Sequence, residues 1–251
     1  RARNKIGSPT QGDGGSIPPA GITAGKGMRE SGYIIIEGNI GVGKSTFAGA
    51  LAAAIRAMGA RAECIYEPDE KNNPYLAKYY DDPRRYAFTM QMHLLHSRFA
   101  QTWRAQANAL SGRGWYILDR SYYGDVCFAR VQEKMGYFTD DERNTYLQAH
   151  RNMRAFLELP SAAIFLAAPP SVCKARIDRR GRECETGRKP ISIDYLAALE
   201  DEIELLEDIL DARCHTMHLD WSADVTPEII ESRAGEIAHG LLTSAHNDWD
   251  F

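Results

Sequence analysis

Eight consecutive residues have the types and spacing of a phosphate-binding loop, G-x-x-x-x-G-K-[ST], with Thr46 directly after it. They are Gly38, Asn39, Ile40, Gly41, Val42, Gly43, Lys44 and Ser45. Glycines let the backbone curl so that N–H groups point at phosphate oxygens, and the N-terminus of a following helix adds partial positive charge. We expect Lys44 to reach the β- and γ-phosphates and the Ser45 hydroxyl to bind Mg²⁺. The motif therefore predicts a site for a nucleoside triphosphate with Mg²⁺.

Two further sets of polar residues follow predicted strands. Glu67 comes after the second strand, and Pro68 stops a helix from continuing there. Asp119 and Arg120 come after the third strand. Parallel sheets bind ligands at the carboxyl ends of their strands, so Glu67 could accept a hydroxyl proton, Asp119 could bind the metal, and Arg120 could clamp the reacting groups. The alternatives are an ordinary loop carboxylate and a buried ion pair at a strand end.

An arginine-rich segment follows the fourth predicted strand. Arg176 and Arg180 share one face of a helix. Arg182 lies beyond Gly181, where the chain can hinge. Arginines that close on a phosphoryl group can raise the rate of its transfer by ~10³–10⁵. The alternative is a basic helix end in solvent, which the helix dipole favours, but next to a phosphate-binding loop the pattern favours an arginine lid.

Two polar residues lie beside the apolar stripe of a predicted helix over 84–110. Gln91 and Arg98 are two turns apart, ~10.5 Å along the axis, on the same side. Long polar side chains near an apolar face need partners, and the edge of a nucleobase is one candidate. Asp125 could pair with Arg98 and fix the orientation of its guanidinium. The alternative is a buried Arg–Asp bridge that only ties two helices together.

Short apolar runs alternate with helical runs from Tyr33 onward, which predicts an α/β fold with a five-stranded parallel sheet flanked by helices. The predicted strands are 33–37, 61–66, 114–118, 162–167 and 215–219. The predicted helices are 44–58, 84–110, 142–158, 171–180 and 192–212. Gly59 is expected to end the first helix. The acidic residues of the last helix, among them Glu200 and Glu202, are expected to form a solvated face.

Composition and charge limit the class of protein. The 251 residues are 44% hydrophobic and carry a net charge of −4, which excludes a mostly disordered chain and argues against nucleic-acid binding through a basic field. No apolar run approaches the roughly 18 residues of a membrane span. Five cysteines without a C-x-x-C pair predict reduced thiols and a cytoplasmic location. Residues 1–30, rich in Gly and Pro, are expected to be a disordered leader in which 1–27 precede a natural start at Met28, and 31–251 a single domain.

Several segments together resemble the deoxyribonucleoside kinases, in particular their bacterial deoxyadenosine/deoxyguanosine/deoxycytidine branch. The segments are IEGNIGVGKST (36–46), YEP (66–68), NPYLAKYYDDPRRYAFTMQ (73–91), DRSYYGD (119–125) and RIDRRGRECE (176–185). The resemblance implies a P-loop kinase fold with an arginine-rich lid. It further implies transfer of the ATP γ-phosphoryl group, with Mg²⁺, to the 5′-hydroxyl of a deoxyribonucleoside in nucleotide salvage. A homodimer built on helix faces is also implied.

The resemblance assigns roles at the phosphate and 5′-hydroxyl end of the site. Glu67 matches the general base for the 5′-hydroxyl, and Arg120 matches the arginine that contacts this hydroxyl and the phosphates. Asp119 stands near Mg²⁺ at a position where the family usually has Glu. The residues that match the lid arginines are Arg176, Arg180 and Arg182.

The resemblance also assigns roles at the sugar and base end. Tyr80 and Glu185 match the pair that holds the 3′-hydroxyl, and Gln91 matches the glutamine that pairs with the base. Family members with Arg and Asp at the positions of Arg98 and Asp125 resemble purine and deoxycytidine kinases. The expected substrate is therefore deoxyadenosine or deoxyguanosine first, with deoxycytidine also accepted.

Two other functions share parts of this pattern. A nucleoside monophosphate kinase of the thymidylate-kinase type has the loop, an Asp-Arg segment and an arginine lid, but it usually places Arg where Tyr66 stands here. A nucleotide-dependent switch usually reads guanine with N-K-x-D, and the sequence contains no such tetrapeptide. The pattern therefore favours a kinase that acts on an unphosphorylated nucleoside.

Overall fold

A computed structural model describes residues 30–67, 73–186, 190–223 and 225–243. Apart from Glu30, the predicted leader with its start at Met28 lies outside the described residues, and so does Pro68. Five strands of the described part form one sheet in which all neighbouring strands are parallel. This arrangement confirms the predicted α/β fold with a five-stranded parallel sheet.

The sheet has the strand order β2-β3-β1-β4-β5, so β1 is central. The strands are β1 (Gly32–Gly38), β2 (Ala62–Ile65), β3 (Trp115–Asp119), β4 (Ala162–Ala167) and β5 (Thr216–Asp220). Each strand begins and ends within one residue of its predicted bounds. The loop after β1 thus lies between the carboxyl ends of β3 and β4, at the edge where open α/β sheets bind ligands.

Helices cover both faces of the sheet. They are α1 (Lys44–Ala57), α2 (Leu76–Asp81), α3 (Pro83–Leu110), α4 (Tyr122–Lys134), α5 (Asp140–Arg154), α6 (Pro170–Arg180), α7 (Glu183–Thr186), α8 (Ile193–Asp211) and α9 (Pro227–Thr243). The predictions of α1, α3, α5, α6 and α8 are confirmed, whereas α2, α4, α7 and α9 were not predicted. Gly59 has φ 88° just after α1, as expected for a glycine that ends a helix. None of the described helices is long and apolar enough to cross a lipid bilayer.

Alternate residues of β1 pack into two hydrophobic clusters on opposite faces of the sheet. Ile34 and Ile36 are fully buried against α1 and α9. Tyr33 and Ile35 are buried against α3, α4 and α8. Burial of each isoleucine side chain stabilises the folded state by about 1.5–3 kcal/mol relative to leaving it in water. Burial on both faces makes the carboxyl edge of β1 a fixed base for the loop that follows it.

The helix predicted over 142–158 has different ends. It begins at Asp140, because the side chain of Thr139 and that of Glu142 each accept the other residue's backbone N–H in a capping box. It ends at Arg154, where the N–H of Leu157 donates to the Arg154 carbonyl in a turn. The prediction missed the capping signal and extended the helix past its last turn.

The prediction of a solvated acidic face on α8 is wrong for two of its residues. Glu202 is 3% exposed and lies 3.1 Å from Nη1 of Arg130 and 2.8 Å from Nζ of Lys134, both on α4. Glu200 is half-buried, and its Oε2 accepts a 2.7 Å hydrogen bond from Asn39. Because α8 packs against α4 and the loop after β1, these carboxylates meet cationic or amide partners instead of water.

Candidate active site

The loop over 38–45 depends on its glycines. Gly38, Gly41 and Gly43 have φ angles of 143°, 82° and 114°, a region that residues with a Cβ rarely adopt. A Cβ on Gly41 would lie only 2.7 Å from the Cys173 carbonyl oxygen on α6. The curled conformation of the loop, which ends with N–H groups at the start of α1, therefore requires glycine at these positions.

Lys44 is held by carbonyl oxygens of the loop that precedes it. Its Nζ donates to the carbonyl oxygens of Gly38 at 3.0 Å and Asn39 at 2.7 Å, and the side chain is buried. Burial, together with the like charge of Arg120, lowers the pKa of Lys44 to about 7. The loop's own carbonyls therefore hold the amino group of Lys44.

Two side chains tie the ends of the loop to distant segments of the chain. Asn39 donates from Nδ2 to the Leu196 carbonyl at 2.8 Å and to Glu200, so it ties the loop to α8. Arg176 donates to the carbonyl of Val42 at 3.0 Å and to that of Trp221 at 2.9 Å. Arg176, expected in the lid, here fastens the loop to the segment after β5. Its use as a lid arginine stays a prediction.

Ser45 and Asp119 meet at the start of α1. The Ser45 hydroxyl donates to Oδ2 of Asp119, which is 5% exposed at the carboxyl end of β3. A hydroxyl and a carboxylate beside a phosphate-binding loop are the oxygen ligands that Mg²⁺ takes from proteins when it is also bound to a nucleotide. The pair therefore fits the predicted metal site.

Glu67 lies between two arginines. Oε1 accepts from Nη2 of Arg98, and Oε2 accepts from Nε of Arg120 at 3.3 Å. Burial raises the pKa of Glu67, but the two guanidinium groups more than offset this and lower it to about 2. The side chain remains 31% exposed. Glu67 is thus a charged acceptor at the edge of a cleft, and its role as a general base stays a prediction.

Arg98 is paired with Asp125 inside the protein, as the sequence indicated. Nη1 of Arg98 lies 2.5 Å from Oδ1 of Asp125, and both side chains are almost fully buried. The other carboxylate oxygen of Asp125 accepts from Gln91 at 2.8 Å and from the Tyr146 hydroxyl at 2.6 Å. Arg98 therefore bridges a buried carboxylate on α4 and Glu67 at the cleft.

Gln91 is fully buried rather than facing the cleft. Its Nε2 donates to the Asp125 carboxylate and, at 3.1 Å, to the Asp125 carbonyl. Its Oε1 accepts a 2.9 Å hydrogen bond from Gln132. Direct pairing with a base therefore requires Gln91 to exchange these partners, and that role stays a prediction.

The remaining predicted residues line the same cleft, which has a volume of about 360 Å³. Glu185 is buried and lies 2.5 Å from Nη2 of Arg180 and 3.6 Å from Nη1 of Arg182. Tyr80 lines the cleft with them. Glu67, Arg98, Arg120, Lys44, Ser45 and Asp119 complete its polar wall. The cleft thus brings together the phosphate end and the sugar end of the predicted site.

Sequence reasoning missed several residues that support this wall. Glu37 is fully buried next to Arg120 and Ser121. The ring of Phe128 lies under both guanidinium groups, with centroid distances of 5.0 Å to Arg98 and 4.4 Å to Arg120. A carboxylate at the end of an apolar strand was the available signal for Glu37. Phe128 lacks such a signal, because its contacts come from distant parts of the chain.

Comparisons with known proteins agree on one family. A family model described as "Deoxynucleoside kinase" matches residues 34–229. The "Deoxyadenosine kinase" of Dictyostelium discoideum is 34% identical over 200 residues, which cover 79% of this chain and 76% of the relative. The "Deoxyguanosine kinase" of the same organism is 30% identical over 190 residues, covering 75% of this chain and 64% of the relative.

The fold also matches a solved structure. Deoxyadenosine kinase from M. mycoides, with the products dCMP and dCDP bound, superposes with a TM-score of 0.68 at 24% sequence identity. The match covers 83% of this chain and 98% of that chain. The two proteins therefore share the parallel sheet and its flanking helices.

Proposed function

The chain belongs to the deoxynucleoside kinase family and is a phosphotransferase, and we propose that it transfers the γ-phosphoryl group of ATP to the 5′-hydroxyl of a purine deoxyribonucleoside. Deoxycytidine is the expected second substrate. One observation carries the proposal: Lys44 with the Ser45–Asp119 pair, and Glu67 with Arg120, line one cleft. A phosphate donor and a hydroxyl acceptor bound at these two ends would meet between them.

The proposed mechanism depends mainly on positioning. The loop amides, Lys44 and the lid arginines Arg180 and Arg182 bind the phosphates and stabilise negative charge as the phosphoryl group moves. Mg²⁺, held by Ser45 and Asp119, would supply further neutralisation of the phosphate oxygens. Glu67 accepts the proton of the 5′-hydroxyl, a contribution of ~10²–10⁴ in rate at most. Arg120 lies beside Glu67 and orients the hydroxyl.

Base preference follows from the buried pair of Arg98 and Asp125. Arg98 lines the cleft, with Nη1 held by Asp125 and Nη2 by Glu67, so its guanidinium has one fixed orientation. The preference for purines and cytosine over thymine is what the resemblance implies for an Arg and an Asp at these two positions. The names of the relatives, deoxyadenosine kinase and deoxyguanosine kinase, support the same preference.

An assay with labelled ATP over the four deoxynucleosides tests this function. We expect transfer to deoxyadenosine and deoxyguanosine to be fastest, deoxycytidine slower and thymidine slowest. The matching deoxynucleoside monophosphates serve as the control. Faster transfer to a monophosphate than to its nucleoside would indicate a thymidylate-kinase-type enzyme instead, and product from none of these acceptors would contradict the proposal.

We also propose a homodimer, as in the resemblance, formed through α8. Leu205 and Ile209 lie one turn apart on this helix and are 49% and 45% exposed. A second copy would remove these apolar side chains from water. Light scattering on the purified chain should give twice the monomer mass, and Leu205→Glu should shift it toward the monomer.

The free thiols of Cys64, Cys127, Cys173 and Cys214 support the proposed cytoplasmic location.

A further inference from the structure

Glu37 is a buried carboxylate that the mechanism above does not use. It lies on β1, directly before the phosphate-binding loop, and is fully buried. Removing a carboxylate from water is costly unless it is paired and hydrogen-bonded. The groups around Glu37 therefore indicate what holds it there and what it acts on.

One oxygen of Glu37 anchors the turn at the end of β3. Oε1 accepts from the backbone N–H of Ser121 at 2.9 Å and from its hydroxyl at 2.7 Å. Ser121 is also the N-cap of α4, where its side chain accepts from the N–H of Tyr123. The carboxylate thus connects β1 to the start of the helix that carries Asp125.

The other oxygen of Glu37 faces Arg120. Oε2 lies 3.8 Å from Nη1 of Arg120, and among the described residues neither atom has a hydrogen-bond partner. Both side chains are at least 97% buried. Burial raises the pKa of Glu37, the guanidinium of Arg120 opposes that shift, and the 3.8 Å separation leaves the guanidinium free to bond elsewhere.

Arg120 is held in a strained conformation. With φ 72° it is the only non-glycine residue with positive φ in the described ranges. Such a conformation persists only where the surroundings impose it. A Cβ on Gly124 would overlap the Glu37 carboxylate, so the sequence keeps space for this group. The turn at Ser121, the N-cap of α4 and the lack of a side chain at Gly124 together place the Glu37 carboxylate against Arg120.

We propose that Glu37 is a positioning residue for phosphoryl transfer, which acts by fixing Arg120 in the cleft. This inference rests on the proposed function. In the described structure Arg120 is also bonded to Glu67. When Glu67 turns to the 5′-hydroxyl, Glu37 remains as the carboxylate that balances Arg120, so the guanidinium keeps its place beside the reacting groups.

A double-mutant cycle of Glu37→Gln and Arg120→Lys tests this role with ATP and the fastest deoxynucleoside of the four-substrate assay. Gln fills the same volume and can still accept from Ser121, but it turns an uncharged amide toward the guanidinium. We expect kcat of Glu37→Gln to fall ~10–100-fold, as for a small displacement of a catalytic group, with both KM values within about threefold of wild type. Because Glu37 acts through Arg120, the double variant should be no slower than Arg120→Lys alone.

Glu202→Gln is the matched control. Glu202 is also a buried carboxylate paired with cations, but it lies between α4 and α8, away from the cleft. Its variant should keep wild-type kcat even if its melting temperature falls. If Glu37→Gln does not fold, Glu37→Asp replaces it, since the shorter side chain keeps the charge but withdraws it from Arg120. The same fall in kcat and the same lack of additivity are then expected.

Three results overturn the inference: kcat within twofold of wild type, losses that multiply in the double variant, or a rise in KM without a fall in kcat. Failure of the proposed function is a separate result. If the wild-type chain phosphorylates no deoxynucleoside, the proposed function and the role of Glu37 are both contradicted. If the wild-type chain is active and Glu37→Gln is equally fast, only the role of Glu37 is contradicted.

Discussion

The two ends of the cleft are built in different ways. The core of the phosphate end is one continuous segment, residues 38–45, in which backbone N–H groups and glycine conformations form the site. The nucleoside end is a network of charged side chains from β1, the segments after β2 and β3, α3 and α4, centred on Glu67, Arg98 and Arg120. The first end depends on local geometry, and the second depends on balanced charges. Substitutions at the two ends should therefore fail in different ways.

The largest effect is expected from Glu67→Gln at the nucleoside end. Gln is almost the same size but cannot accept the hydroxyl proton, so kcat should fall ~10²–10⁴-fold while the nucleoside still binds. Steady-state kinetics and a nucleoside binding isotherm measure the two parts. Glu63→Gln on β2 is the control, because Glu63 is 57% exposed and its ion pair among the described residues is with exposed Arg104. Near-normal kcat in Glu67→Gln would remove Glu67 from the mechanism.

The same contrast explains what the sequence could predict. The loop, its strand and its helix lie within one continuous segment, residues 32–57, and fixed spacing is enough to recognise them. The pairing of Arg98 with Asp125 was predicted because both residue types demand a partner. The burial of Gln91 by Gln132 and the role of Glu37 depend on how α3, α4 and β1 pack, which spacing along the chain does not contain. Similarly, α4 was missed although Ser121 provides its N-cap.

The second largest effect is a change in base preference from Arg98→Met combined with Asp125→Ala. Removing both partners avoids leaving one charge buried alone. The ratio of kcat/KM for the best purine to that for thymidine should fall by ~10² or more, because the fixed donor that reads the base is lost. The matched control is Arg130→Met with Glu202→Ala, an ion pair outside the cleft. An unchanged ratio in the Arg98–Asp125 variant would contradict base reading by this pair.

A smaller effect is expected from Gly41→Ala at the phosphate end. A Cβ at φ 82° would meet the Cys173 carbonyl at 2.7 Å and Ile177 at the same distance, so the loop must shift. Strain of this kind costs about 1–3 kcal/mol, so KM for ATP should rise ~10-fold or more while the nucleoside binds normally. Gly59→Ala is the control, since Gly59 has φ 88° but nothing within 4 Å of its Cβ position. Equal loss of nucleoside affinity would show that the two ends are not separable.

The smallest effect is a fraction of a proton taken up when ATP binds. Burial and the charge of Arg120 lower the pKa of Lys44 to about 7, so the free enzyme holds this side chain mostly neutral at pH 8. Phosphate oxygens favour the ammonium form and raise its pKa, and binding should therefore take up a larger fraction of a proton at pH 8 than at pH 6. Titration calorimetry of Mg²⁺–ATP in two buffers of different ionisation enthalpy measures this number.

The direction of this proton exchange, uptake on ATP binding, distinguishes Lys44 from the carboxylates of the nucleoside end. Because protons are taken up, ATP affinity should weaken as pH rises above 7, whereas Glu67, with a pKa of about 2, stays charged throughout this range. Lys44→Arg is the control, since a guanidinium remains charged at every pH used and should take up none. Equal uptake in wild type and Lys44→Arg would assign the proton to another group. No uptake in either would mean that Lys44 is already charged before the phosphate binds. The phosphate end would then depend on a charge that is present in the free protein, as the nucleoside end does.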